Sequence, residues 1–137
     1  MILYLDSSAL VKLYVLEPAT DTVEAMVAEA DSIATSRIAY VEACAALARR
    51  KRHLTQEAFA AAYKALSDQW RHFAAVELDE LKAGALAAKH GLRGFDAVHL
   101  AAALEVRASA GAIPILFCSF DQTQAAAARA ENFSVVP

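Results

Sequence analysis

Four carboxylates in this chain stand where acids are seldom left. Asp6 follows Ile2-Leu3-Tyr4-Leu5, and Glu42 lies inside Tyr40-Val41-Glu42-Ala43-Cys44-Ala45-Ala46-Leu47. Asp96 sits between Phe95 and Ala97-Val98, and Asp121 closes the almost wholly apolar stretch from Ile113 to Phe120. Carboxylates enter apolar surroundings when they are paired, hydrogen-bonded or bound to metal. The rest of the sixteen Asp and Glu lie among polar residues and need no such account. Taken singly, three of the four have ordinary explanations. Asp6 and Asp121 can cap helices, Asp121 and Gln124 have capping-box spacing, and Asp96 suits the dipole at a helix start. Glu42 has no obvious solvated face. Taken together they suggest a cation site. Clustered carboxylates repel, and some hold protons unless a cation is present. No basic residue is placed by the sequence to neutralise each of them. Oxygen donors of this kind select Mg²⁺ or Mn²⁺, and such an ion can act as a Lewis acid and activate a bound water.

The elements that must position these acids follow from hydrophobic pattern and punctuation. Met1 to Leu5 is a continuous apolar run, the mark of a strand buried on both faces in a parallel sheet. Asp6 then lies at its carboxyl end, where open α/β sheets bind ligands. Ser7 or Ser8 can cap a helix to about Tyr14, which Glu17-Pro18 ends. Thr20 to Glu29 reads as a second helix and Ser32 to Thr35 as a short strand. Ser36 can cap a long helix to about Arg52, closed by Arg49-Arg50-Lys51-Arg52. Thr55 opens a helix with the apolar stripe Phe59, Tyr63, Leu66, Trp70 and Phe73, read as core. Ala74 to Leu78 is a third strand, and Asp79 caps a helix that stops near Gly91. Gly94 to about Ala110 is the most apolar helix. Ile113 to Cys118 is the second strong strand, a helix runs on from Asp121 to Ala130, and Phe133 to Val136 is the last strand.

Strands alternate with helices throughout. This predicts an α/β fold, a parallel sheet of four to five strands with helices on both faces. No linker, repeat or shift in composition divides residues 1–137, so one domain is expected. If the strands before Asp6 and Asp121 are neighbours, those two acids face one crevice. Helices that follow strands begin at the same sheet edge, so Glu42 and Asp96 fall on the same rim.

Net charge is −3, which excludes a protein that coats nucleic acid by bulk electrostatics. A polyanionic partner needs local cations or a bound metal. Arg49, two turns beyond Glu42, is the best placed for such a partner, while Lys12 and Arg93 flank the acid motifs. Arg50, Lys51, Arg52 and His53 read more readily as a solvated helix end. His99, one turn beyond Asp96, reads either as a supporting residue of the site or as a satisfied half-buried histidine. No apolar run is long enough to span a membrane, and the first residues read as a strand, not a signal peptide. The expected compartment is the cytoplasm. Cys44 and Cys118 are expected as core thiols.

The ordered set Leu5-Asp6-Ser7-Ser8-Ala9-Leu10-Val11-Lys12-Leu13-Tyr14, Glu42 in its alanine-rich helix, Gly94-Phe95-Asp96-Ala97-Val98-His99-Leu100-Ala101-Ala102-Ala103 and Ser119-Phe120-Asp121 resembles the PIN-domain family. Within that family it resembles the VapC-type toxin ribonucleases of toxin–antitoxin pairs. The resemblance implies a three-layer Rossmann-like fold and RNA cleavage with Mg²⁺ or Mn²⁺ that leaves a 5′-phosphate. It also implies a homodimer neutralised by a small VapB-like antitoxin. It maps the family's acidic quartet onto Asp6, Glu42, Asp96 and Asp121, as metal ligands and catalytic groups. The small polar residue two before the last acid maps onto Ser119. Ser7 and Ser119 are expected to support the carboxylates or a water. The competing reading is a non-catalytic PIN-like module that binds RNA or protein. A phosphatase of the haloacid dehalogenase type would want an Asp at position 8, where Ser8 stands. A receiver domain would want a lysine after Phe117, and there is none. A Gly-rich phosphate loop is also missing.

Overall fold

The computed structural model describes residues 1–137. Five strands form one sheet: β1 (Ile2–Leu5), β2 (Ser32–Ser36), β3 (Ala74–Val76), β4 (Ile115–Cys118) and β5 (Ser134–Val136). Their spatial order is β3-β2-β1-β4-β5, and every neighbouring pair is parallel. The apolar run at the start of the chain is therefore the central strand. It pairs with β4 from Ile2↔Ile115 to Leu5↔Cys118 and with β2 from Ile2↔Ser32 to Tyr4↔Ala34. The chain grows outward from β1 to β3 on one side, then crosses to β4 on the other. The switch point thus lies between β1 and β4, the two strands that end at Asp6 and just before Asp121.

Helices α1 (Ser7–Leu10), α2 (Thr20–Glu29), α3 (Ile38–Arg50) and α4 (Gln56–Gln69) cover one face, and α5 (Glu80–His90), α6 (Gly94–Ala110) and α7 (Gln122–Ala130) cover the other. Side chains of a strand alternate between faces, and β1 obeys this. Leu3 and Leu5 join Ala9, Leu10, Val23, Leu47 and Leu66 in one core. Tyr4 joins Leu86, Leu100, Phe117 and Phe133 in the other. Tyr4 and Phe117 stack with ring centres 5.2 Å apart, and Phe133 lies 5.7 Å from Phe117. Alanines at 97, 101, 102, 103, 127 and 128 let α6 and α7 lie close to the sheet.

The boundaries differ from the sequence expectations in ways that have reasons. The first helix is capped by Asp6 and not by Ser7 or Ser8, its carboxylate accepting from the Ala9 N–H. A 3₁₀ turn at Val11–Leu13 completes it. The long third helix is α-helical only to Arg50, and Lys51–His53 continue as a 3₁₀ turn. β3 stops at Val76, two residues early. β4 starts after Pro114, which has no N–H to donate, although the Pro114 carbonyl still accepts from Ile2. Gly91 ends α5 at φ +65°, a left-handed conformation that glycine adopts without strain. Of the apolar stripe on α4, Leu66 is core, Phe59, Trp70 and Phe73 pack against it, and Tyr63 is exposed. Both cysteines are free, and burial, then the nearby Asp6 charge, pushes the Cys118 thiol up to about 12. No helix is long and apolar enough to cross a membrane.

Phe117 ties β4 to the aromatic cluster beneath the site. Phe117→Ala is expected to cost about 3–5 kcal/mol, the range for emptying a fully buried aromatic position. Urea unfolding measures it; a loss under about 1 kcal/mol would mean that the cluster does not anchor the sheet.

Candidate active site

The carboxyl ends of β1 and β4 carry the site. Asp6 continues the ladder by one step, its N–H donating to the Cys118 carbonyl at 3.2 Å, and Thr35 Oγ1 donates to the Leu5 carbonyl at 2.7 Å. The Asp6 side chain is only 2% exposed. Oδ1 accepts from Ser8 Oγ at 2.6 Å and from the Ala9 N–H at 3.0 Å, and Oδ2 accepts from Ser119 Oγ at 2.5 Å. Burial raises the Asp6 pKa above its ordinary value; the hydroxyl and amide donors and His99 offset only part of that. Ser8 also closes the gap between the strands, its Oγ accepting from the Phe120 N–H at 2.9 Å.

Asp121 is reached through the same serine. Its N–H donates to Ser119 Oγ at 3.1 Å, and its Oδ1 caps α7 by accepting from the Gln124 N–H at 2.9 Å. Gln124 does not complete a capping box. Its buried amide turns away and donates to the Asp96 carbonyl at 3.2 Å, fastening the start of α6 to the start of α7. Asp96 and Asp121 are bridged by one guanidinium: Arg93 Nε to Asp96 Oδ2 and Arg93 Nη2 to Asp121 Oδ2, each 3.0 Å. No basic residue was expected to neutralise each of the acids, and Arg93 serves two of the four. Arg93 immediately precedes α6, is 78% exposed at its side chain and holds both carboxylates from solvent.

Glu42, in the second turn of α3, is governed by different neighbours. Its Oε1 accepts from Ser7 Oγ at 2.5 Å and lies 2.9 Å from His99 Nε2. His99 Nε2 also lies 2.9 Å from Ser7 Oγ, and its Nδ1 is 3.0 Å from the Tyr4 hydroxyl. Burial, then the charges of Asp6 and Glu42, keeps Tyr4 protonated well above its ordinary pKa. A carboxylate only accepts, so His99 turns an Nε2–H toward Glu42, with the Tyr4 hydroxyl against its other ring nitrogen. For Glu42 itself burial is the largest influence and acts upward. The bonds from His99 and Ser7, with the charges of His99 and Arg93, outweigh it and hold the pKa below the usual value.

Asp6, Glu42, Asp96 and Asp121 thus stand on one rim, with Ser7 and Ser119 directly on their carboxylates. Arg49 is exposed and lines a cavity of about 350 Å³ that Glu42 also lines. Lys12 departs from the expected surface cation. It is nearly buried, paired with Glu17 at 2.9 Å, and sits 4.4 Å from the Phe120 ring centre. The fold spends its charge on Glu17 because a buried ammonium needs a partner. One residue of the site escaped the sequence reading: Tyr4 passed as strand filler. Of the two roles open to His99, one turn beyond Asp96, its contacts with Glu42 and Ser7 match the supporting one.

No three His, Cys, Asp or Glu side chains stand close enough to make a ready-formed metal-ligand group. The donor chemistry still fits a hard cation, because the rim offers carboxylate oxygens. Arg93 already stands as a positive charge between Asp96 and Asp121.

The chain belongs to the PIN domain family, whose profile matches residues 3–130. Among its relatives are ribonuclease VapC45 and ribonuclease VapC49 of two Mycobacterium tuberculosis strains, CDC 1551 / Oshkosh and ATCC 25618 / H37Rv. Each is 43% identical over 110 residues, covering 77% of this chain and 76% of the relative. The fold matches the crystal structure of PAE2754 from Pyrobaculum aerophilum, with TM-score 0.67 and 22% identity over 93% of this chain and 84% of that one. It also matches that of FitAcB from Neisseria gonorrhoeae, with TM-score 0.68 and 19% identity over 100% and 97%.

The hydroxyl on Asp6 Oδ2 bonds a buried charge. Ser119→Ala is expected to cost about 1.5–3 kcal/mol in EDTA, the range for bonds to ionised groups. The same change should cost less in an Asp6→Asn background, and a double-mutant cycle reads the difference. Asp6→Asn alone should raise stability at neutral pH, because a raised folded-state pKa means that folding pays to bury the charge. That gain should shrink as pH falls through the raised pKa, where the wild type is itself protonated. Equal Ser119→Ala costs in the two backgrounds would count against a charged Asp6.

Proposed function

We propose that the chain is a metal-dependent endoribonuclease, the toxin of a type II toxin–antitoxin pair. Kinship to the VapC ribonucleases supports the RNA-cleaving half of this reading. The convergence of four carboxylates on one rim is the observation that carries it. A Mg²⁺ or Mn²⁺ ion would be held by Asp6, Asp96 and Asp121, directly or through water, with Glu42 beside it. When bound, such an ion polarises the phosphate and lowers the pKa of a water.

The chain's own side chains divide the remaining work. Asp6 is fixed from three sides, so its direction is set before any ligand arrives. Glu42 stays ionised at neutral pH, locked by His99 and Ser7, and is suited to orient the attacking water. Arg93 must leave Asp96 and Asp121 for a metal to enter. Once free, its planar guanidinium suits a phosphate oxygen pair. A VapB-like antitoxin and a homodimer complete the reading, with the cytoplasm as compartment. The alternative, a non-catalytic PIN-like module that binds RNA or protein, draws support from Arg93, which already neutralises the two outer acids.

RNA cleavage decides between them. Purified protein should cleave with Mg²⁺ or Mn²⁺ and stop in excess EDTA. Asp96→Asn should lower the rate by at least about a hundred-fold while the thermal melt stays cooperative. Cleavage that survives EDTA would sink the metal reading. A wild type that binds RNA and leaves it intact with either ion would favour the binding module.

A further inference from the structure

The two acids at the mouth of the site each follow an exposed apolar residue. Phe95 precedes Asp96 and is 61% exposed, and Val41 precedes Glu42 and is 67% exposed. Neither belongs to the two cores. They come together with Ile38, Ala45, Glu42 and Arg49 around one cavity of about 340 Å³. Glu42 is also a wall of the next cavity, shared with Arg93 and Asp96, so the apolar pocket opens onto the acid rim. On its far side Arg49 has no ion pair, while Glu17 in the adjoining cavity pairs with Lys12 and Arg50. In the adjoining cavity Arg50 Nη1 is buried with no hydrogen-bond partner.

We infer that this pocket is a nucleobase subsite, taking one unstacked base of single-stranded RNA next to the phosphate at the rim. The inference rests on the ribonuclease reading and adds to it how the strand is held. Single strands present flat apolar bases linked by anionic phosphates, and proteins hold them with aromatic faces and nearby cations. Phe95 supplies the face, Val41 and Ile38 the apolar wall, and Arg49 the cation for the adjoining phosphate. A protein helix is a poorer occupant. A helix in a groove needs a row of apolar anchors over two turns, whereas here the exposed apolar surface is short and bounded by Glu42, Arg49 and Arg93.

The test uses the full chain with Phe95→Ala and Phe95→Trp. Phe95 is exposed, so both variants should melt as the wild type does. Binding of a single-stranded RNA oligonucleotide carrying 2-aminopurine is followed by fluorescence in EDTA, and cleavage kinetics are followed with Mn²⁺. Phe95→Ala should raise Kd and KM about ten-fold and leave kcat within about two-fold, while Phe95→Trp restores both constants. Unchanged Kd and KM in Phe95→Ala overturn the subsite while leaving the ribonuclease reading intact. A wild type that binds through Phe95 but cleaves nothing overturns the ribonuclease reading and supports the subsite. A wild type that neither binds nor cleaves overturns both. Loss of self-association in Phe95→Ala, seen by light scattering with RNA binding intact, assigns the patch to a protein contact and also overturns the subsite.

Discussion

The Asp6 carboxylate is almost sealed from water, and its two oxygens are divided among Ser8, Ser119 and the Ala9 N–H. An ion buried that deeply is tolerable only if every partner arrives together. Ser119 arrives because β4 pairs with β1 in the register that sets Cys118 beside Leu5. Ser8 arrives because the chain turns into α1 at once, and Ala9 because Asp6 is itself the helix cap. A slip of β4 by one residue would turn every side chain to the other face and leave the charge bare. The sheet register and the geometry of the site are therefore one constraint.

Around that fixed point the acids experience different surroundings. Asp6 is dominated by burial and drawn toward protonation, whereas Glu42, though also partly buried, has enough donors to remain charged. Pairs of carboxyl groups whose environments push them apart are a common sign of divided chemical duties. Asp96 and Asp121 are joined by Arg93 at the solvent side, which relieves their repulsion from outside the fold. The buried half of the rim is held by hydroxyls and a histidine, the exposed half by one mobile-length side chain.

The architecture was largely legible because its signals are local. Apolar runs of four or five residues gave the two central strands, helical periods gave the helices, and Gly91 marked a boundary. The position of each acid relative to an apolar element was legible for the same reason. What the sequence withheld depends on which side chains meet across the fold. Tyr4 and His99 are ninety-five positions apart, and neither neighbourhood hints at the other. Arg93 looked like a flanking cation for RNA, and only the approach of α7 to α6 shows it spanning two acids. Lys12 looked like a surface charge until Glu17 and Phe120 closed over it. Of the caps open to the first helix, Asp6 and the two serines, the carboxylate takes the place while also forming part of the rim.

The order of the strands has a temporal consequence. The central strand is made first, yet the strand that completes it on the site side is the fourth, and Asp6 meets Ser119 across more than a hundred residues. During synthesis, which delivers the N-terminal part first, the early segments can form one half of the sheet, with β1 an open edge. The acid pocket has no second wall until β4 is delivered. A partly made chain therefore carries no assembled rim of this kind before β4 and Asp121 have been made.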